Sequence, residues 1–176
     1  MMKTTNAAIR RLKPDDLKEI EDIENAVWSE PWTAKQFRNC MKRCAGLVAV
    51  IADVGVVGFA ISRSSPTSTL VLRMAVHPSG HREGIGSQLL RAIQSEAQVV
   101  GRDCVEITVH ERNVSGQQFL KANQFRFRDV LRKDGWQCDE YLMRWHVGGF
   151  VDQSPANRGD CEDLANVAGV WPASGW

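Results

Sequence analysis

Residues Leu70–Leu90 read LVLRMAV, HPSGHREGIG and SQLL in succession: an apolar strand, a short polar loop with three glycines, and the start of a helix. A loop of this kind turns several backbone N–H groups outward beside the positive end of a helix dipole. Together they make a site for a phosphate or pyrophosphate.

Spacing separates the phosphate loops this could be. A Walker loop ends in Gly-Lys-Ser/Thr, whereas Gly84-Ile85-Gly86 is followed by Ser87-Gln88. A dinucleotide fingerprint places a third glycine at position 89, which is Leu89. What the stretch does carry is Val76-His77-Pro78, the basic pair His81-Arg82, Gly84-x-Gly86 and then Leu89-Leu90.

The remaining chain sets the frame around this loop. Ile9–Leu12 is a plausible first strand; Pro14-Asp15-Asp16 suits a helix start, and Leu17, Ile20, Ile23 and Val27 recur at helical spacing. Pro31 interrupts the following Trp28-Ser29-Glu30-Pro31-Trp32-Thr33. Thr33-x-x-Gln36 then forms a capping box for a second helix that buries Phe37, Cys40, Met41 and Cys44. Leu47–Asp53 and Val56–Arg63 read as a hairpin turning near Gly55. Leu70–Val76 feeds the glycine loop, and the next helix carries Ile85, Leu89, Ile93 and Ala97 on one face, stopping near Gly101. Cys104–His110 is a strand and Ser115–Asn123 a helix. Phe125–Arg132 and Cys138–Trp145 flank a Lys133-Asp134-Gly135 turn. The order β, α, α, β, β, β, α, β, α, β, β excludes a helix bundle and an all-β sandwich.

At 176 residues, 43% hydrophobic and 24% charged, the chain suits one soluble globular core and is short for two. A net charge of +1 gives no global reason to expect nucleic acid or membrane binding, so anion recognition must be local. The five cysteines include no CxxC pair, and Cys40 and Cys44 sit one helical turn apart as expected buried thiols; no metal site is expected. With no signal-like apolar core in MMKTTNAAIRR and no membrane-length apolar run, a reducing cytoplasm is the expected location. Residues 1–146 read as the domain. The Gly-, Asp-, Asn-, Pro- and Ser-rich residues 147–176 read as a mobile or loosely docked tail, with Trp171 and Trp176 its only cue for docking.

The loop resembles the acyl-CoA loop of the GNAT N-acetyltransferases, Arg/Gln-x-x-Gly-x-Gly/Ala, with His81 where Arg or Gln is usual. The resemblance covers roughly Ala8–Trp145 and is nearest to the bacterial ribosomal-protein-alanine N-acetyltransferases. Those share Ile-Glu, a six-residue gap and Pro-Trp-Ser-x-x-x-Phe, here Ile23-Glu24 and Pro31-Trp32-Thr33-x-x-x-Phe37. It implies the GNAT acyl-CoA N-acyltransferase fold, an α/β (α+β) arrangement of a mixed, mostly antiparallel sheet of about seven strands with helices on both faces. Two strands splay and CoA lies between them. It implies acetyl-CoA as co-substrate with no metal. Met74, Ala75 and Val76 would line the splay, and His81, Arg82, Glu83, Gly84, Ile85, Gly86 and Ser87 would hold the pyrophosphate. Asn113 would hold the pantetheine region. Trp28, Pro31 and Trp32 would border the acceptor, a protein N-terminus or peptide such as that of a ribosomal protein, on a monomer or homodimer. The alternative for Trp28 and Trp32 is plain packing of the helix corner.

The family's Leu-Glu-Val-Arg-x-x-Asn and Leu-Tyr-x-x-x-Gly-Phe become Ile107-Thr108-Val109-His110-Glu111-Arg112-Asn113 and Phe119-Leu120-Lys121-Ala122-Asn123-Gln124-Phe125. Thr108 replaces the glutamate base, Leu120 the tyrosine acid and Gln124 the glycine. Strand alternation puts Glu106, Thr108 and His110 on one face, where Glu106 or His110 could act as base through a water. A solvated Glu106 and a hydrogen-bonded His110 are the plain alternatives. Tyr141, the only tyrosine, could replace the acid or simply cover the core. Arg126, Arg128, Arg132 and Lys133 read as a basic face, open to an acidic partner. The losses keep two further readings in view: an enzyme for a small-molecule amine such as a polyamine or antibiotic, and a CoA-binding module with reduced or lost catalysis.

Overall fold

The computed structural model describes residues 6–132 and 139–149. Its elements are β1 (Ala8–Arg11), α1 (Leu17–Val27), α2 (Ala34–Met41), β2 (Ala45–Ile51), β3 (Gly55–Ser64), β4 (Ser68–Val76), α3 (Ile85–Val99), β5 (Cys104–His110), α4 (Val114–Ala122), β6 (Arg126–Leu131) and β7 (Glu140–His146). The seven strands form one sheet in the order β1-β2-β3-β4-β5-β7-β6. Every neighbouring pair is antiparallel except β4 and β5, which are parallel and joined by the crossover through α3.

Each helix takes its place from an apolar stripe. Ile85, Leu89, Ile93 and Ala97 are all buried on one face of α3, and each large aliphatic side chain so buried contributes about 1.5–3 kcal/mol. On the other face α1 buries Ile20 and Ile23. There α2 sets Phe37 edge-on against Phe59 of β3 at 5.6 Å and against Trp32 at 5.4 Å. Thr33 caps α2 as its sequence predicts: the hydroxyl accepts from Gln36 N at 3.3 Å and the Gln36 side-chain Oε1 accepts from Thr33 N at 2.8 Å.

Several boundaries differ from the pattern. Ser68 already belongs to β4, because Ser65 closes the preceding loop onto it: Ser65 N donates to Ser68 O at 2.8 Å and Ser68 N to Ser65 Oγ at 3.0 Å. Helix α2 stops at Met41, so Cys44 lies beyond it. Only Phe37 of the expected stripe is fully buried, and Cys40, Met41 and Cys44 are half-buried. The Lys133-Asp134-Gly135 turn, Cys138 and the tail from residue 150 onward lie outside the described residues.

Candidate active site

The sheet opens between its two parallel strands. Strands β4 and β5 pair from Ser68–Cys104 to Val71–Ile107 and no further, although β4 runs on to Val76 and β5 to His110. The parting coincides with a bulge: Ile61 of β3 faces Arg73 while Ser62 faces Val71, which leaves Leu72 as the extra residue. A bulge bends its strand and re-aims the side chains beyond it. Arg73 thereby turns to the α1 face, and Met74 to the α3 face, where its methyl lies within 3.5 Å of a Cβ built on Gly86.

Backbone groups line the gap. His77 N donates to Val57 O at 2.8 Å, which makes His77–Val57 a hydrogen-bonded pair of the β3–β4 ladder. In an antiparallel ladder such pairs alternate, so Ala75 bonds β3 while Met74 and Val76 direct their N–H and C=O groups away from it, into the gap. The Val76 carbonyl confirms the direction, because it accepts from His81 Nε2 at 2.9 Å. Of the neighbouring amides of Ala75 and Val76, the ladder leaves that of Val76 open.

The glycine loop borders the gap on the α3 face. Pro78–Gly80 forms a short 3-10 turn capped by the His77 ring, whose Nδ1 accepts from Ser79 N at 3.2 Å. Arg82 and Gly84 both take positive φ, 62° and 78°, and Gly84 is the N-cap of α3. The N–H groups of the first helical turn have no partner within the helix. They face a cavity of about 360 Å³ walled on one side by Val76, Gly80, His81, Arg82 and Gly84 to Ser87, and on the other by Ser115, Gln118, Phe119, Ala122 and Asn123 of and beside α4. Gly86 lets α4 approach, since a Cβ there would sit 3.1 Å from the Phe119 ring. Met74, Ala75, Glu83 and Asn113 are not among the cavity's walls. Asn113 is buried and caps α4, its Oδ1 accepting from Gly116 N at 2.7 Å; its Nδ2 is buried with no hydrogen-bond partner.

The opposite face carries the other set of candidates. Glu106, Thr108 and His110 project there, as alternation from Leu70 requires, opposite Arg144, Leu142 and Glu140 of β7. Glu106 is level with Leu70, where the strands are still paired, and its Oε1 accepts from Arg144 Nε at 2.8 Å and from Arg144 Nη2. Thr108 and His110 lie beyond the last pair, beside the gap. The Nδ1 of His110 accepts from Arg112 N at 3.1 Å, so the neutral ring carries its proton on Nε2 and offers a donor rather than a base. Tyr141 is on the α3 face, edge-on to Phe127 at 5.7 Å, and the sheet separates it from those three. Leu120 is wholly buried in the core.

The connection between α1 and α2 covers this second face. Trp28 is buried, Trp32 half-buried and Pro31 exposed. The two tryptophans flank a charge pair of which the motif names Glu24 and not its partner Arg73. Glu24 of α1, 0% exposed, accepts from Arg73 Nε at 2.7 Å and from Arg73 Nη2, and the Arg73 guanidinium carbon lies 3.4 Å from the centre of the Trp28 ring. Burial pushes the Glu24 carboxyl above its ordinary range, against the pull of Arg73 and of the Trp32 amide. The available cue was a lone arginine inside the apolar run LVLRMAV. Glu140, 1% exposed and opposite His110, also escaped notice, because the strand EYLMRWH alternates charge with apolar residues on one face only.

Residues 44–126 match the family model of the acetyltransferase (GNAT) domain. No curated protein sequence matches the chain. Among solved structures, the ribosomal-protein-S18-alanine N-acetyltransferase of Escherichia coli superposes with a TM-score of 0.73 at 19% identity, covering 85% of this chain and 99% of that one. Ard1 from Thermoplasma volcanium gives 0.73 at 23% identity over 81% and 99%, and Arabidopsis thaliana NAA60 in complex with acetyl-CoA gives 0.71 at 17% over 82% and 100%. Such identities speak for the fold: the chain has the α/β acyl-CoA N-acyltransferase fold, and residues 44–126 within it are similar to the acetyltransferase (GNAT) domain.

Proposed function

We propose that this domain transfers the acetyl group of acetyl-CoA to the N-terminal α-amine of a protein, by direct attack with both substrates bound. The observation that carries the proposal is the gap beyond Val71–Ile107, which has an anion cradle on one face and the Trp28–Trp32 connection on the other. The cavity fits the cofactor chemically. Its floor is a helix N-terminus whose first-turn amides have no partner within the helix, with Arg82 at its rim, matched to a pyrophosphate, and Asn113, outside the cavity's walls, keeps a buried Nδ2 donor without a partner. Acetyl-CoA supplies the activated acyl group as a thioester. The Val76 and Met74 amides stand in the gap as donors for negative charge developing on the thioester oxygen.

The acceptor reading follows from how Glu106, Thr108 and His110 are held. Thr108 stands where the family has its glutamate, Glu106 is held by Arg144, and His110 presents a donor. An amine reaching this site must therefore supply much of its own neutral form. An α-amine with pKa ~8 costs only ~1.4 kcal/mol to deprotonate near pH 7, whereas a lysine with pKa ~10.4 costs ~4.6 kcal/mol. Thr108 can pass a proton through its hydroxyl to water, and Tyr141 is left to the cofactor face. The E. coli S18-alanine enzyme among the similar structures supports a protein N-terminus, and a ribosomal protein is one such acceptor. Thr108 and the buried Leu120 favour a second reading, a CoA-binding module with lost catalysis.

Two measurements test these readings. Acetyl-CoA is expected to raise the melting temperature, and Ser87→Glu, which puts a negative charge on the cradle wall, to remove most of that rise. A parent protein that does not shift would overturn the cofactor assignment. Peptides with free Ala or Ser at the N-terminus are expected to be acetylated faster than N-blocked peptides carrying lysine. The reverse order would remove the α-amine, and a thermal shift without turnover on any peptide would support the second reading.

A further inference from the structure

The geometry points to Arg73 as the residue that positions the acceptor-facing connection, an inference that rests on the proposed placement of the acceptor on the α1 face. The connection from Trp28 to Thr33 has no regular structure of its own. One guanidinium holds it at separate places. The guanidinium carbon of Arg73 lies 3.4 Å from the centre of the Trp28 ring and 5.2 Å from that of Trp32. Its Nη2 donates to Glu30 O at 3.0 Å. Through Glu24 it reaches Trp32 again, because the same Glu24 Oε1 that takes Arg73 accepts from Trp32 N at 2.9 Å.

Arg73 is suited to this by its place in β4. It is the second residue past the last β4–β5 pair and the first past the bulged Leu72, so its backbone forms the wall of the gap while its side chain crosses to α1. Its side chain is 3% exposed and Glu24's is 0%. Neither meets the acceptor directly, and both act through the backbone and rings of residues 28–32. A planar fork that donates along two edges while stacking on an indole face is a task for arginine; an ammonium offers one point charge and no flat face.

The test uses Arg73→Met and, because that change alone leaves Glu24 buried without its partner and destabilises the fold, also the double variant Glu24→Met with Arg73→Met, since replacing both members of a buried ion pair by apolar side chains of similar volume is often neutral for stability. Hydrogen exchange is read first because it needs no substrate. The Trp32 amide is expected to lose protection in Arg73→Met, where its Glu24 acceptor is retained, while α3 keeps its own in both variants. In steady-state kinetics with an N-terminal Ala or Ser peptide, the acceptor KM is expected to rise roughly tenfold or more, while the acetyl-CoA KM stays within about twofold. Arg73→Lys is expected to fall between parent and Arg73→Met. Unchanged exchange at Trp32 would overturn the positioning role. So would an acetyl-CoA KM that rises in step with that of the peptide. A parent that shows Trp32 protected but acetylates no peptide would instead overturn the acceptor reading and leave the exchange result standing.

Discussion

At the scale of single residues, Asp16 is the clearest case of a charge whose role the structure defines. It lies at the end of the turn that starts α1, 5% exposed. Both carboxylate oxygens accept from Arg10 at 2.7 Å, and Oδ2 also accepts from Lys13 N at 2.7 Å. The Arg10 hydrogen bonds hold its pKa below the ordinary carboxylate range against the opposing effect of burial. A carboxyl depressed in the fold contributes stability that is complete above its unfolded pKa of ~3.9 and is lost as pH falls through the lower folded value. Asp16→Asn is therefore expected to cost roughly 2 kcal/mol near pH 7, the size of hydrogen bonds to a charged group. The gap between variant and parent should hold to about pH 5 and close below about pH 4. Urea denaturation of both proteins across that range measures it, and a gap that widened in acid would contradict the assignment. The sequence marked Asp16 as a helix-start acid but could not show its partner, because Arg10 reaches it only when β1 and the turn are folded together.

At the scale of elements, local patterns and long-range pairing contributed different parts. The α3 stripe, the Thr33 capping box and the β5 strand needed only neighbours in sequence, and the structure has each where the pattern puts it. The glycine loop was legible for the same reason, since its chemistry is that of one turn and one helix end. The bulge at Leu72 was not legible. A continuous apolar run such as LVLRMAV has no alternation to disturb, and its face assignment changes in the middle only because β3 pairs with two parts of β4 in different registers. That shift brings Arg73 to Glu24, 49 residues earlier in the chain. The catalytic candidates suffered likewise: alternation correctly grouped Glu106, Thr108 and His110, but the pairings that constrain them, Arg144 with Glu106 and the Arg112 amide with His110, come from a distant strand and a loop geometry.

At the scale of the molecule, the sheet is divided into a paired half and an open edge, and the division should be visible without any substrate. Beyond Val71, β4 is hydrogen-bonded to β3 alone, so its amides alternate between two environments. Arg73 and Ala75 donate toward β3, and Met74 and Val76 face the gap. Burial alone does not predict this, because all four residues are at most 2% exposed. In hydrogen exchange of the free protein, the Arg73 and Ala75 amides are expected to be protected to near the global stability, with Met74 and Val76 exchanging faster by at least about tenfold through local fluctuation. Acetyl-CoA should slow Met74 and Val76 selectively if their N–H groups receive the thioester and its arm, and leave the Arg73 to Ala75 contrast with them reduced. Equal protection at all four positions in the free protein would mean that the gap closes in solution. Slowing confined to the loop amides of residues 82–87 would mean that the cradle holds the pyrophosphate while the acyl end lies elsewhere, and the oxyanion role given to β4 would pass to another element.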